Sequence, residues 1–326
     1  MHYECDCWFV SADVPPLWSK RHLPPDVECP SPGDFWEGLR RVQPDACALD
    51  SKFVRLEQTT PEVPTVGLPQ NKIQHFFAEH ICDSSCTRAC SDLLVYQLHY
   101  TDEEMTEIEV ATRGQASNTN WHKARVGLLT ASNFHRVCHC NDGMQTAGKL
   151  LEDSKLHDDC LPASVAYGRQ HEETARQMFL KSHRYHHRSS TITVPGLTLN
   201  SNYPYLGCSA DGILNCKSCG RFIVEVKCMF ANRNFHPKVA AVMQGICKKN
   251  DSGELELLYG HKYFYQIQGQ MALTSIHKAF LVLYTNKGIA SVPVLFDEDF
   301  WESCSSQLCD FYHSYMYRAL HQKYSK

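Results

Sequence analysis

No apolar run in this sequence is long enough to cross a bilayer, and its first residues lack the basic-then-apolar pattern of a secretory signal. No segment repeats, which excludes solenoid and propeller architectures. Positive charge is not in excess either. Lysine and arginine number 32 against 36 acids, and the net charge of −4 excludes a protein that coats nucleic acid by bulk charge. A polyanionic partner must be met by local basic patches, or by metal ions set among acidic side chains. Charged residues are 21% of the 326-residue chain and apolar ones 43%, so a real core is expected and general disorder is not. These absences lead us to expect an intracellular protein, nuclear or cytoplasmic, neither secreted nor membrane-bound.

Cysteine, by contrast, is plentiful. The total of 17 is odd and the spacing scattered, which does not read as a secreted disulfide framework. Reduced thiols are expected, with room for one zinc site. Residues 1–70 hold stretches such as "HLPPDVECPSPGD" and "PEVPTVGLPQ" and read as an irregular Pro/Cys-rich arm. Within it "CDCWF" has metal-ligand spacing, but no matching pair follows closely. Residues 71–116 read as a helical linker segment. One helix is expected over about 72–98, with Cys82, Cys86 and Cys90 along one face as small buried side chains. A second is expected over about 101–112 with acids in its first turn, followed by the polar "RGQASNTN".

Residues 117–326 carry the densest pattern. A helix capped by a hydroxyl residue is expected near "TASNFHRVC", and a long one across "SVAYGRQHEETARQMFLKSH". Strands are expected at "STITVPGL", "YLGCSADGIL" and "RFIVEVK". A helix at "HKYFYQIQGQMALT", strands at "HKAFLVLYT" and "IASVPVLF", and a helix from "DEDFWES" complete the order. This is an α/β fold: a mixed central sheet flanked by helices.

The chemistry concentrates in one hairpin. In "RFIVEVK", Ile223, Glu225 and Lys227 share a face opposite Phe222, Val224 and Val226. A turn at "NCKSCG" centred near Ser218 brings Asp211 opposite Glu225. Like charges in that relation destabilise a sheet unless something positive lies between them, and an oxygen-loving divalent ion such as Mg²⁺ or Mn²⁺ fits. The plainer reading is a solvated salt bridge from Lys227 to either acid. Glu172 adds weight, because it shares its helical face with Val165, Ala175 and Phe179, where a carboxylate is costly unless paired or metal-linked. Gln266 and Gln270 share a face of the later helix, away from Phe264, Ile267 and Met271; their plainer reading is a polar helix surface.

Taken in order, "WHKARVGLLTAS", "YGRQHEETA", "GCSADG", "EVKC" and "YQIQGQM" resemble the YqaJ-type viral recombinase family. That family is similar to phage lambda exonuclease within the PD-(D/E)XK nuclease superfamily. The resemblance implies a restriction-endonuclease-like core and an end-dependent, 5′-to-3′ deoxyribonuclease acting in recombination or mobile-element biology. It implies that Asp211 and Glu225 bind Mg²⁺ or Mn²⁺, joined by the carbonyl of Val226. Lys227 is then the catalytic lysine, Glu172 the helical acid that assists, and Gln266 the glutamine of the helix behind the site. Arg125, Ser132 and Ser209 fall where the family contacts a terminal DNA phosphate. Proline is common in the family where Ala210 and Met229 stand, and "LNSNYPY" has no acid where some members carry an extra one.

Cys216 and Cys219 resemble a Cys-rich hairpin tip of some members. A Cys-x-x-Cys pair is half a structural zinc site, and free thiols are the plainer reading. Cys208 and Cys228 are expected near the hairpin base, away from that pair. Two basic clusters, Lys123, Arg125 and Arg136, and Lys181, Arg184 and Arg188 with His183, His186 and His187, are candidates to track a phosphate backbone. Double-stranded DNA ends with little sequence preference are the expected partner, with a homo-oligomer suggested by the resemblance. A catalytically silent DNA-binding module derived from such a nuclease is the rival reading, and a zinc-dependent regulatory protein is a third.

Overall fold

A computed structural model of the chain describes residues 71–79, 88–153 and 162–324. The arm at 1–70, with "CDCWF", lies outside the described residues, as do Cys82 and Cys86. The helices before the sheet are α1 (Lys72–Glu79), α2 (Arg88–Gln97), α3 (Asp102–Ala111), α4 (Thr119–Ala124), α5 (Phe134–Cys138), α6 (Gly143–Asp153) and α7 (Ala163–His186). Those after it begins are α8 (Pro237–Met243), α9 (Lys262–Thr274), α10 (Glu298–Phe311) and α11 (Tyr317–Tyr324). The strands are β1 (Leu129–Thr130), β2 (Thr191–Thr193), β3 (Thr198–Leu199), β4 (Leu206–Cys208) and β5 (Gly212–Cys216). They continue with β6 (Gly220–Cys228), β7 (Cys247–Lys249), β8 (Leu255–Leu257), β9 (Lys278–Thr285) and β10 (Gly288–Leu295).

The main sheet runs β10-β9-β6-β5-β2, antiparallel throughout except where β6 lies parallel to β9. It is a mixed sheet with helices on both faces, as expected. The alternation in β6 explains the two layers. Ile223 joins the larger core with Leu281, Leu283 and the α9 residues Ile267 and Met271. Phe222, Val224 and Val226 pack with Phe280, Val282 and the α7 residues Tyr167, Ala175, Phe179 and Leu180. Because the interior strand β9 faces a core on each side, "AFLVLYT" is apolar almost without a break. The linker helices pack into the larger core too, through Ile73, Phe76, Leu94 and Leu98.

Several expectations are corrected. The stretch "YLGCSADGIL" is two strands in different sheets: β4 pairs with β1 and β3, and the chain bends at Ser209–Asp211 before β5. The short hairpin β7–β8 and helix α8 were not anticipated. No side-chain cap forms at Thr130 or Asn133 before α5. Val165 is exposed rather than part of the α7 apolar stripe. The acidic start of α3 is a capping box, in which Thr101 and Glu104 satisfy each other's backbone donors. "RGQASNTN" is no free linker, since Gln115 Nε2 donates to the carbonyls of Pro195 at 3.0 Å and Ala210 at 2.8 Å.

Candidate active site

The β5–β6 hairpin has the predicted register. Gly212 pairs with Val224 and Cys216 with Gly220, so positions equidistant from Ser218 face each other. Asp211, just before β5, therefore adjoins Glu225 on β6. Glu225 is only 1% exposed. Its Oε1 accepts from Lys227 Nζ at 2.5 Å and from Gln266 Nε2 at 2.6 Å, and its Oε2 from Gln270 Nε2 at 2.7 Å. One ammonium and two amides thus stabilise a carboxylate that burial alone would not tolerate. The two glutamines lie one turn apart on α9 and are buried, correcting the reading of a polar helix surface. Between them Gly269 has no room for a Cβ, which would collide with the Phe134 ring; only glycine lets α9 come this close.

Asp211 is held differently. Its Oδ2 accepts the backbone N–H of Val226 at 2.7 Å, while its Oδ1 has no hydrogen-bond donor among the described residues. Burial, then the Glu225 and Glu172 carboxylates, push the Asp211 carboxyl well above its ordinary range. Burial also raises Glu172; Arg176 offsets this in part, and Glu225 adds to it. For Lys227, burial works against the ammonium, but Glu225, Asp211 and Tyr263 outweigh it and hold the lysine above its ordinary value. Lys227 is therefore charged at neutral pH.

Arg176, which sequence reasoning missed, ties the helix to the hairpin. It is 7% exposed, donates from Nη1 to the Asp211 carbonyl, and sits 3.5 Å from Glu172 and 2.6 Å from Glu173. The signal was available: an arginine one turn beyond Glu172, within the stripe of Ala175 and Phe179. Gln270 was seen but given no role. Glu172 leans towards Arg176, and Glu172, Asp211 and Glu225 do not converge on one point. Among the described residues, the one cluster of three metal-ligating groups within 4.8 Å is His183, His187 and Cys216. Cys228 adjoins the acids, and burial with Glu172 and Asp211 pushes its thiol up to about 12.

A second group borders the acids. The Arg125 guanidinium stacks on Trp121 at 3.8 Å and donates to Thr130 Oγ1 at 3.1 Å. Trp121 Nε1 donates to Ser209 Oγ at 2.8 Å, and Ser132 Oγ lies 3.4 Å from Thr130 Oγ1. Arg125, Ser132 and Ser209 are thus brought into one neighbourhood through Trp121 and Thr130. Gln270 Nε2, 3.4 Å from the Ser209 carbonyl, links it to Glu225. No carboxylate pairs with Arg125 among the described residues, and burial lowers it to about 10. Asn200 ties a turn to the Leu273 carbonyl at 3.1 Å. In the second basic cluster His183 is buried, which removes it as a phosphate contact, while Lys181, His186 and Arg188 are exposed.

Residues 120–277, which contain all of these side chains, match the family described as the YqaJ-like viral recombinase domain. No curated protein matches the chain in sequence. In structure the chain is similar to the alkaline exonuclease LHK-Exo from Laribacter hongkongensis in complex with dAMP. That match has 19% identity and a TM-score of 0.46, covering 63% of this chain and 93% of that one. It is also similar to the Shutoff and Exonuclease Protein of the Kaposi's sarcoma-associated herpesvirus, at 14% identity, 73% and 76% coverage and a TM-score of 0.44. A phage-related exonuclease from Haemophilus somnus matches at 13% identity, 61% and 95% coverage and a TM-score of 0.38. No helix among the described residues is long and apolar enough to cross a membrane.

Proposed function

We propose that this YqaJ-like domain is a divalent-cation-dependent deoxyribonuclease of the PD-(D/E)XK type, degrading duplex DNA from an end in the 5′-to-3′ direction during recombination or mobile-element processes. The observation that carries the proposal is the adjacency of Asp211, just before β5 and hydrogen-bonded to the Val226 N–H, to buried Glu225 on β6, with Lys227 Nζ 2.5 Å from Glu225. The donor set suits Mg²⁺ or Mn²⁺: two carboxylates and the Val226 carbonyl, with Asp211 Oδ1 left without a hydrogen bond among the described residues. When bound, such an ion neutralises charge at the phosphoryl group and acidifies a water molecule.

The chain's own residues do the rest. Gln266 and Gln270 fix both oxygens of Glu225 before substrate arrives, which is preorganisation rather than binding. Lys227, held protonated by its carboxylate neighbours, acts as a donor that orients the attacking oxygen and steadies the developing negative charge, not as the base. Glu172, raised by burial, lies beside them on α7 as the assisting acid. Arg125 has no acidic partner among the described residues and lies over the Trp121 ring, so its guanidinium suits a terminal phosphate, with Ser132 and Ser209 adding hydroxyls. Nothing in this set reads base edges, so little sequence preference follows.

The test is release of nucleotides from a linear duplex labelled at one end, with and without Mg²⁺, by the chain and by Asp211→Asn. We expect Mg²⁺-dependent release from the 5′ end and its loss in the variant. Equal degradation by both proteins would refute the reading.

A further inference from the structure

The opposite end of the same hairpin gathers nitrogen and sulfur. His183 and His187 lie one turn apart near the end of α7, their rings stacked with centroids 4.7 Å apart at 21°. Cys216 and Cys219 bracket the β5–β6 turn. One donor atom each from His183, His187 and Cys216 lies within 4.8 Å of the other two. Cys219 Sγ is 3.4 Å from His187 Nδ1, which brings a fourth donor to the group.

His183 is the decisive side chain. It is 1% exposed, and neither ring nitrogen has a hydrogen-bond partner among the described residues. Buried polar atoms are nearly always satisfied, and an imidazole with both nitrogens unpaired is destabilising. The Ser218 hydroxyl sits among the other donors, 3.0 Å from His187 Nδ1, 3.2 Å from Cys216 Sγ and 3.4 Å from Cys219 Sγ, and leaves His183 unsatisfied. Something else must meet that ring.

We propose that His183, His187, Cys216 and Cys219 form a structural zinc site that pins the end of α7 to the hairpin tip. Two thiolates and two imidazoles are a closed tetrahedral zinc set, and Cys-x-x-Cys on a turn with His-x₃-His on a helix is the usual spacing. With Zn–S about 2.3 Å and Zn–N about 2.0 Å, the donors around a tetrahedral ion lie roughly 3.3–3.8 Å apart. Side-chain rotation at an exposed turn closes the present spread, with Ser218 displaced. Oxygen-loving Mg²⁺ is excluded here by the softness of the donors. The ion would cross-link the helix carrying Glu172 to the hairpin that Asp211 precedes and that carries Glu225, at the end away from the acids.

The experiment is metal analysis of the full chain, expressed without a metal-binding tag in zinc-supplemented medium. We expect one tightly held zinc ion in addition to any bound by the remaining cysteines. Cys216→Ser with Cys219→Ser, and separately His183→Asn, each lose that one equivalent, while Cys140→Ser retains it. Cobalt exchanged into the wild-type chain gives the visible bands of a tetrahedral thiolate site, and their thiolate charge-transfer intensity falls in the double variant. Stripping zinc lowers Tm by about 5 °C or more. Wild-type protein that holds no zinc, or variants with the full wild-type content, would overturn the proposal; the first outcome needs no variant to fold. Cleavage is not assayed, so this result is independent of the nuclease reading.

Discussion

The two ends of the β5–β6 hairpin face α7 with opposite chemistries. At the base, Asp211, Glu225 and Glu172 present oxygens; at the tip, Cys216 and Cys219 meet His183 and His187. Desolvation acts on both ends in the same sense, towards the neutral form, yet with opposite sign in pKa. It pushes Asp211 and Glu172 up and holds His183 down at about 4. The protein compensates the base from within, through Lys227, Arg176 and two glutamine amides. It gives the His183 imidazole at the tip no hydrogen-bond partner among the described residues. One site is thus built around oxygen donors and keeps one oxygen open, while the other is built around sulfur and nitrogen. The lesson is that shared elements do not imply shared metal chemistry.

The comparison can be broken most sharply at the base. Glu225→Gln should lower Mg²⁺-dependent DNA cleavage by about 10³-fold or more while leaving zinc content unchanged; joint loss of both would mean the ends are not separate. Lys227→Met removes the only ammonium on Glu225 and should destabilise the fold by about 2–5 kcal/mol in urea unfolding. A smaller figure would show that the amides suffice. Gln270→Leu leaves one Glu225 oxygen unmet, and about 1–3 kcal/mol of stability should go with it, again by urea titration.

The smallest effect has the opposite sign. Between the ordinary carboxylate range and its raised value, folded Asp211 binds a proton that the unfolded chain releases. Stability without divalent cations therefore falls as pH rises through that window. Asp211→Asn abolishes this, so its Tm at pH 7 in magnesium- and manganese-free buffer should exceed that of the parent chain by about 2–4 °C. Added Mg²⁺ should raise the parent's Tm and not the variant's. A parent chain whose Tm rose with pH would sink this account of the base.

Much of the base was readable in one dimension. A two-residue period placed Glu225 and Lys227 together, and a turn centred on Ser218 set Asp211 opposite Glu225, because hairpin register is local geometry. Arg176, Gln270 and His183 were not assigned their places. Each acts across 30 or more residues of chain, on a partner that only packing selects: the Asp211 carbonyl, Glu225, or the space beside Cys216. The break at Ser209–Asp211 was equally hidden. "YLGCSADGIL" alternates well enough for one strand, and it divides because β4 finds β1 and β3 while β5 finds β2 and β6.

By itself the sequence determined most of the elements around the site, the two faces of β6 and which side chains were chemically able to matter, since these follow from local period, turn residues and donor type. Tertiary structure alone decided what each was able to do. Burial between two helix layers made Glu225 need three donors, raised the Asp211 carboxyl above its ordinary range and left His183 without a partner among the described residues. The dielectric and the neighbours that produce those effects exist only once distant segments have come together.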